Sequence, residues 1–219
     1  NMQHPAWKVG VTKNGMILNA SKTTAITFSL RKTIQSDSIM LNETPIQELS
    51  TAKLFGVVYD QHLTFSHQID NVLGKAAPSF HALVQLKRAG VNSAGLLAFY
   101  KSRIVSVLSY GAPAWFPHIT KHAKETLSRY EKLCLKIIYP SSDSYEDRLA
   151  ASGLTDIIST LDMMCLKYVT KVKQNPNHPL NTTKYFPVSP AKARSTRYRP
   201  SSRKYRTALF KSSLFFRYA

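Results

Sequence analysis

The segment Lys53-Leu54-Phe55-Gly56-Val57-Val58-Tyr59-Asp60, continued by Gln61-His62-Leu63-Thr64-Phe65, marks a change of pattern in the chain. Its two apolar runs, 54–59 and 63–65, are rich in β-branched and aromatic residues. A short polar insert separates them, which predicts a β-hairpin that turns at residues 60–62. Gly56 would then lie inside the first strand, where glycine indicates a bulge or the close approach of another chain or a ligand.

Strand-like patterns come before this segment and helical patterns come after it. The alternating run 24–28 and the apolar run 39–41 predict two more strands, so we expect a small antiparallel sheet within residues 1–65. Beyond Phe65, apolar residues recur at helical spacing, with Ser66, Ser93 and Thr120 as expected N-caps. Helices are also expected at 145–151 and from 156 to about 174. Short connections between them predict an antiparallel bundle over 66–175, and the fold class is therefore α+β.

The charge of the chain is strongly positive and uneven. The 219 residues carry 30 Lys and Arg against 12 Asp and Glu, a formal net charge of +18. Residues 61–140 have 10 basic and 3 acidic side chains, and residues 184–219 have 10 basic and none acidic. Residues 176–219, rich in Pro, Ser, Thr, Lys and Arg, predict a basic and mostly irregular C-terminal arm. Such a balance favours a polyanionic partner, with nucleic acid preferred to an acidic membrane, although a merely solubilising charge is the plain alternative.

Other classes of protein are disfavoured by what the sequence lacks. The two cysteines, Cys134 and Cys165, lie in apolar helical stretches and are expected to be packing residues in a reducing compartment. No Cys and His spacing indicates a zinc site. No apolar run has membrane-spanning length and no signal peptide is recognisable. We therefore expect an intracellular protein, nuclear or cytoplasmic, without a membrane partner.

Three motifs in this order resemble one known family. They are Asn14-Gly15-Met16-Ile17-Leu18-Asn19-Ala20-Ser21-Lys22-Thr23 with the strand at Phe28, the segment 53–60, and Leu108-Ser109-Tyr110-Gly111-Ala112-Pro113-Ala114-Trp115. Together they look like the later half of a reverse transcriptase from a non-LTR retrotransposon of the LINE class. The resemblance extends over nearly the whole chain and is weakest from 141 to 219.

The resemblance implies a fold and a partner. Residues 1–65 would be the end of a polymerase palm with its primer-grip hairpin, and residues 66–175 a helical thumb. Residues 176–219 would be the basic arm. The implied partners are a primer and template duplex of RNA and DNA, and the upstream palm and fingers of the same polymerase.

One element of the family is absent from the sequence. The polymerases of this family use two divalent metal ions, which are Mg²⁺ in the intact enzyme. Carboxylates of the palm, usually two adjacent aspartates, bind these ions. No Asp-Asp pair occurs here, and Glu146-Asp147 lies in a helical pattern where acids favour the first turn. We therefore expect a fragment that begins after the catalytic turn, binds no metal and does not polymerise on its own.

Candidate site residues follow from the resemblance and from the charge. The family's Asn-x-x-Lys element implies that Lys22 lies near the incoming nucleotide as a general acid for the leaving pyrophosphate; the plain alternative is a solvent-facing lysine before a strand. Phe55 and Gly56 would contact the primer. The expected phosphate contacts are Lys75, Lys87, Arg88, Lys101, Arg103, Arg194, Arg197, Arg199, Arg203, Lys204 and Arg206.

Two other readings compete with the polymerase fragment. The first is a stand-alone basic nucleic-acid-binding protein, and the second is a degenerate remnant without a selected function. An in-frame palm with two aspartates directly upstream in the encoding DNA would separate the fragment from both.

Overall fold

The computed structural model describes residues 14–15, 19–29, 39–41 and 44–181. Contacts divide the chain into two compact units, residues 1–63 and residues 64–219. The described part of the first unit consists of short strands and one 3₁₀ turn, whereas that of the second unit is helical.

The first unit contains three two-stranded pairings among its described residues. β1 (Thr24–Ala25) pairs in parallel with β4 (Gln47–Glu48), and β2 (Met40–Leu41) pairs antiparallel with β3 (Thr44–Pro45). β5 (Thr51–Leu54) pairs antiparallel with β6 (Val57–Asp60). The structure thus differs from the expected single antiparallel sheet. Pro45 has no N–H to donate, which limits how far β3 can extend a ladder.

The turn of the β5–β6 hairpin is where the sequence-based prediction was wrong. Leu54 pairs with Val57, so Phe55 and Gly56 form the connection, with φ of +47° and +82°. Positive φ at both central residues is the requirement of a two-residue type I′ turn, which matches the twist of the flanking strands. Gly56 is therefore a turn residue and not a strand residue. The polar residues after β6 do turn the chain, since the Leu63 N–H donates to the Asp60 carbonyl at 2.9 Å, but this turn follows the hairpin.

Gly56→Val should locally destabilise the hairpin, because a β-branched residue at positive φ is strained by about 1–2 kcal/mol. Gly56→Asn is the matched control, since Asn tolerates the left-handed region. Hydrogen exchange of the β5 and β6 amides should be accelerated by Val and much less by Asn. Equal protection in both variants would contradict the turn at this position.

Seven α-helices make up the described part of the second unit. They are α1 (Ser66–Arg88), α2 (Ser93–Phe99), α3 (Ser106–Leu108), α4 (Ala112–Trp115), α5 (Lys121–Ile138), α6 (Tyr145–Ser152) and α7 (Ile157–Gln174). A π-helical segment, Tyr100–Val105, joins α2 to α3, and a 3₁₀ turn, Phe116–His118, follows α4. Within these residues no single helix is long and apolar enough to cross a membrane; α6 and α7 pass that test only as a pair bent by 50°.

Side chains cap four of the described helices, α2, α5, α6 and α7, and one of the expected caps is confirmed. The Thr120 hydroxyl accepts from the Ala123 N–H at 3.2 Å and caps α5. Ser93 was wrong by one residue: the Asn92 side chain caps α2 by accepting from the Gly95 N–H. Ser66 was also wrong, because Phe65 occupies the N-cap position of α1 without a side-chain cap.

Helix α5 is the centre of the second unit. It contacts α1, α2, α6 and α7, and its inward face buries five side chains: Leu127, Glu131, Cys134, Leu135 and Ile138. Large side chains from neighbouring elements, including Trp115, Tyr100 and Phe116, complete a fully buried core. The two cysteines are free and buried, as expected for packing residues.

One carboxylate lies inside this core. Glu131 is 1% exposed and accepts three hydrogen bonds from three elements. The Tyr145 hydroxyl and the Ile157 N–H donate to Oε2 at 2.8 and 2.9 Å, and the Tyr100 hydroxyl donates to Oε1 at 3.3 Å. Desolvation raises the pKa of Glu131, although these hydrogen bonds oppose the rise.

Glu131→Ala should lower the free energy of unfolding by about 3 kcal/mol, because it leaves buried donors without an acceptor. Glu131→Gln retains an acceptor oxygen and should cost much less. The pKa of Glu131 is higher in the folded state than in the unfolded state. Its contribution to stability is therefore complete at pH values below the unfolded-state pKa, and it is lost as the pH rises through the folded-state pKa. The stability of the Gln variant relative to wild type should therefore increase with pH across that window.

Urea unfolding at a series of pH values measures this difference. Glu125→Gln, which removes an exposed acid of the same helix, is the control and should show no comparable trend. A stability difference between Glu131→Gln and wild type that stays constant with pH would contradict the raised pKa.

Candidate nucleic-acid interface

The outer face of α5 is basic along most of its length. A shallow, open groove on this face is lined by Lys121, Lys124, Glu125, Ser128, Arg129 and Lys132. Thus α5 buries an apolar face in the core and presents four cations, one acid and one hydroxyl on the other side. We call these six residues the α5 groove.

Two lysines of the α5 groove lie over aromatic rings from other elements. The Lys124 ammonium is 4.8 Å from the centre of the Phe116 ring, and the Lys132 ammonium is 4.8 Å from the centre of the Tyr145 ring. Phe116 is fully buried, and the Tyr145 hydroxyl is bonded to Glu131. A cation over a ring face is attracted by the ring quadrupole, so fixed rings restrict where these ammonium groups lie.

Glu125 moderates the charge of the groove. Its Oε1 is 3.8 Å from the Lys121 ammonium, an exposed pair four residues apart on the helix. Such pairs contribute little to stability and are screened by salt. The four cations and one carboxylate leave the groove with a net charge of +3. An extended anion is therefore the ligand that this surface can hold best.

The basic residues of this groove were missed when charge was counted by segment. Lys121, Lys124, Arg129 and Lys132 occupy positions i, i+3, i+8 and i+11. With 3.6 residues per turn, these positions lie on one side of a helix. The helical period of the charges was the signal that could have found them.

Lys22 is the last residue of a short turn that begins at Asn19. Residues Ala20–Lys22 form a 3₁₀ turn capped by Asn19, whose Oδ1 accepts from the Ser21 N–H at 2.9 Å. The Thr23 hydroxyl also donates to the Asn19 carbonyl. Lys22 itself is exposed. The capped turn presents this ammonium to solvent, and a general-acid role stays a prediction.

Phe55 and Gly56 form the tip of the β5–β6 hairpin. Phe55 is 86% exposed although its φ is positive, a combination that is unusual for a bulky aromatic residue. Residues in strained backbone conformations cluster at ligand-contacting positions. An exposed ring at a strained turn can stack on a base or lie against a sugar.

Five of the predicted phosphate contacts lie on two helical segments of the second unit. Lys75, in the middle of α1, and Lys101 and Arg103, in the π-helical segment, are exposed. Lys87 and Arg88 lie in the last turn of α1, where cations also interact favourably with the helix dipole. Six predicted residues lie outside the described part of the chain: Arg194, Arg197, Arg199, Arg203, Lys204 and Arg206.

Three side chains of types that often act in catalysis, Asp147, His118 and Cys134, have structural explanations. Asp147 forms a capping box with Ser144 at the start of α6, as the first-turn interpretation predicted. His118 stacks on Phe65 with ring centres 5.7 Å apart, and burial lowers its pKa. Burial also raises the pKa of the Cys134 thiol to about 12, so it is not an activated nucleophile.

The described residues do not fit a divalent-metal site. They contain no group of three or more His, Cys, Asp or Glu side chains that could hold an ion.

Comparison with known proteins supports a distant relationship to a transposon enzyme. The chain is 24% identical over 120 residues to a Drosophila melanogaster protein described as "Probable RNA-directed DNA polymerase from transposon X-element". The match covers 54% of this chain and 12% of that protein. No family model and no solved structure matches the chain. The chain is thus similar to a short part of a transposon RNA-directed DNA polymerase.

Proposed function

We propose that this chain is the palm-end and thumb portion of a LINE-class reverse transcriptase, and that its role is to hold the primer and template duplex. The match to a transposon RNA-directed DNA polymerase is the observation that carries this proposal. The order of the three sequence motifs and the net charge of +18 add support. The chemistry of nucleotide transfer would belong to another part of the polymerase.

The two units would contribute different contacts. The helical unit offers cations on a rigid frame, which suit the sequence-independent phosphates of a duplex. The hairpin offers an exposed aromatic ring at a turn, which suits the base or sugar at a primer end. Gly56, with no side chain, would allow the backbone of the turn to approach the primer closely.

Binding of the full-length chain to labelled nucleic acids tests the proposal. Fluorescence anisotropy should show tighter binding to an RNA/DNA hybrid than to either single strand of the same length, since a duplex-holding surface reads helix shape and 2′-hydroxyl groups. Affinity should fall with salt, with a slope of about −0.9 per phosphate neutralised on a DNA duplex. Equal affinity for hybrid and single strands at every salt concentration would favour a stand-alone basic binding protein instead.

Phe55→Asn separates the function of the hairpin tip from its stability. Asn followed by Gly is the preferred pair for a type I′ turn, so this change should slow hydrogen exchange in β5 and β6 by relieving strain of about 1 kcal/mol. It should also weaken hybrid binding by about 5- to 150-fold, because one stacking ring is worth about 1–3 kcal/mol by substitution.

Phe55→Tyr is the matched control, because it keeps the ring and should keep the affinity. A Phe55→Asn variant that is more protected and binds the hybrid as wild type does would show that the ring has no part in binding.

A further inference from the structure

We propose that the α5 groove is a phosphate-binding track that holds one backbone strand of a nucleic-acid duplex. The proposal rests on the proposed function and makes it specific, because it assigns the phosphate contacts to Lys121, Lys124, Arg129 and Lys132. The positions predicted from segment charge lie on other elements.

The length of the groove fits several successive phosphates. Lys121 and Lys132 are 11 residues apart, which corresponds to about 16 Å along a helix axis. Phosphates on one strand of duplex DNA rise about 3.4 Å each along the axis, so about five lie within that length. The net charge of +3 is enough to neutralise about three of these phosphates.

Preorganisation distinguishes this face from an ordinary solvated row of charges. The Phe116 and Tyr145 rings lie under the Lys124 and Lys132 ammonium groups. Both rings are fixed, one by complete burial and one by its hydroxyl bond to Glu131. Long side chains that are already held in place lose less conformational freedom when they bind. Ser128, which also lines the groove, adds a hydroxyl that can donate to a phosphate oxygen.

The composition of the groove argues for nucleic acid and against a lipid surface. Each lining residue is charged or carries a hydroxyl. Helices that lie on membranes bury a stripe of Trp, Phe or Leu beside their cations. The groove has no such stripe among its lining residues, whereas polar and cationic side chains are the usual contacts to a phosphate backbone.

Lysine footprinting of the full-length chain tests the assignment directly. A 20-base-pair RNA/DNA hybrid should protect Lys121, Lys124 and Lys132 from acetylation, measured by mass spectrometry. Lys167 and Lys171, exposed on α7, should stay reactive. Hybrid binding without protection in the groove would overturn this inference while leaving the proposed function intact, whereas no hybrid binding at all would remove both.

Charge variants give a second and quantitative test. Lys124→Gln with Arg129→Gln should reduce the slope of log affinity against log salt on duplex DNA by about 2, and weaken binding roughly 30-fold at 0.15 M salt. The control, Lys167→Gln with Lys171→Gln, removes the same charge from α7 and should have a much smaller effect. Equal losses of affinity in the two double variants would show that only the total charge matters, and would overturn the assignment.

Glu125→Gln provides a gain of function that misfolding cannot imitate. Removing this carboxylate frees Lys121 and raises the groove charge by one, so binding should tighten severalfold and the salt slope should steepen by up to about 1. Asp70→Asn, which removes an exposed acid from α1, is the control.

Two further ligands are tested in the footprinting experiment: inorganic pyrophosphate at constant ionic strength, and vesicles of phosphatidylserine. Protection of the groove by either of these, without protection by the hybrid, would overturn the proposal.

Discussion

The helical unit depends on a carboxylate that is buried at its centre. Glu131 accepts hydrogen bonds from the π-helical segment, from α6 and from the first residue of α7. Burying a carboxylate without hydrogen-bond donors would cost a large amount of folding free energy. The three donors must therefore stay in position to offset the burial of Glu131. Because each donor comes from a different element, this single residue fixes how three elements pack around α5.

The same helix carries both the core and the basic face. Its inward side chains fill the interior, while its outward lysines and arginine line the α5 groove. Tyr145 connects the two sides, since its hydroxyl bonds Glu131 and its ring lies under the Lys132 ammonium. The hydrogen bond between Tyr145 and Glu131 thereby helps to position the Lys132 ammonium. Packing in the core and the proposed binding of phosphate thus depend on the same tyrosine.

The hairpin of the first unit shows a different balance between stability and exposure. Asn would suit the first position of a type I′ turn, yet the chain has Phe55 there, 86% exposed and at positive φ. Local strain combined with an exposed aromatic ring is the kind of conflict that marks functional positions. This conflict supports the primer contact that the sequence resemblance implies for the hairpin tip.

The sequence by itself determined the positions of the main helices, the cap at Thr120 and the packing role of both cysteines, because helical periodicity and capping are local properties. It also indicated a polyanionic partner through net charge. Only the tertiary structure decided the turn at Phe55 and Gly56, since an unbroken apolar run does not reveal where it reverses. Burial of Glu131 and the rings under Lys124 and Lys132 likewise depend on contacts between distant segments, which no local pattern encodes.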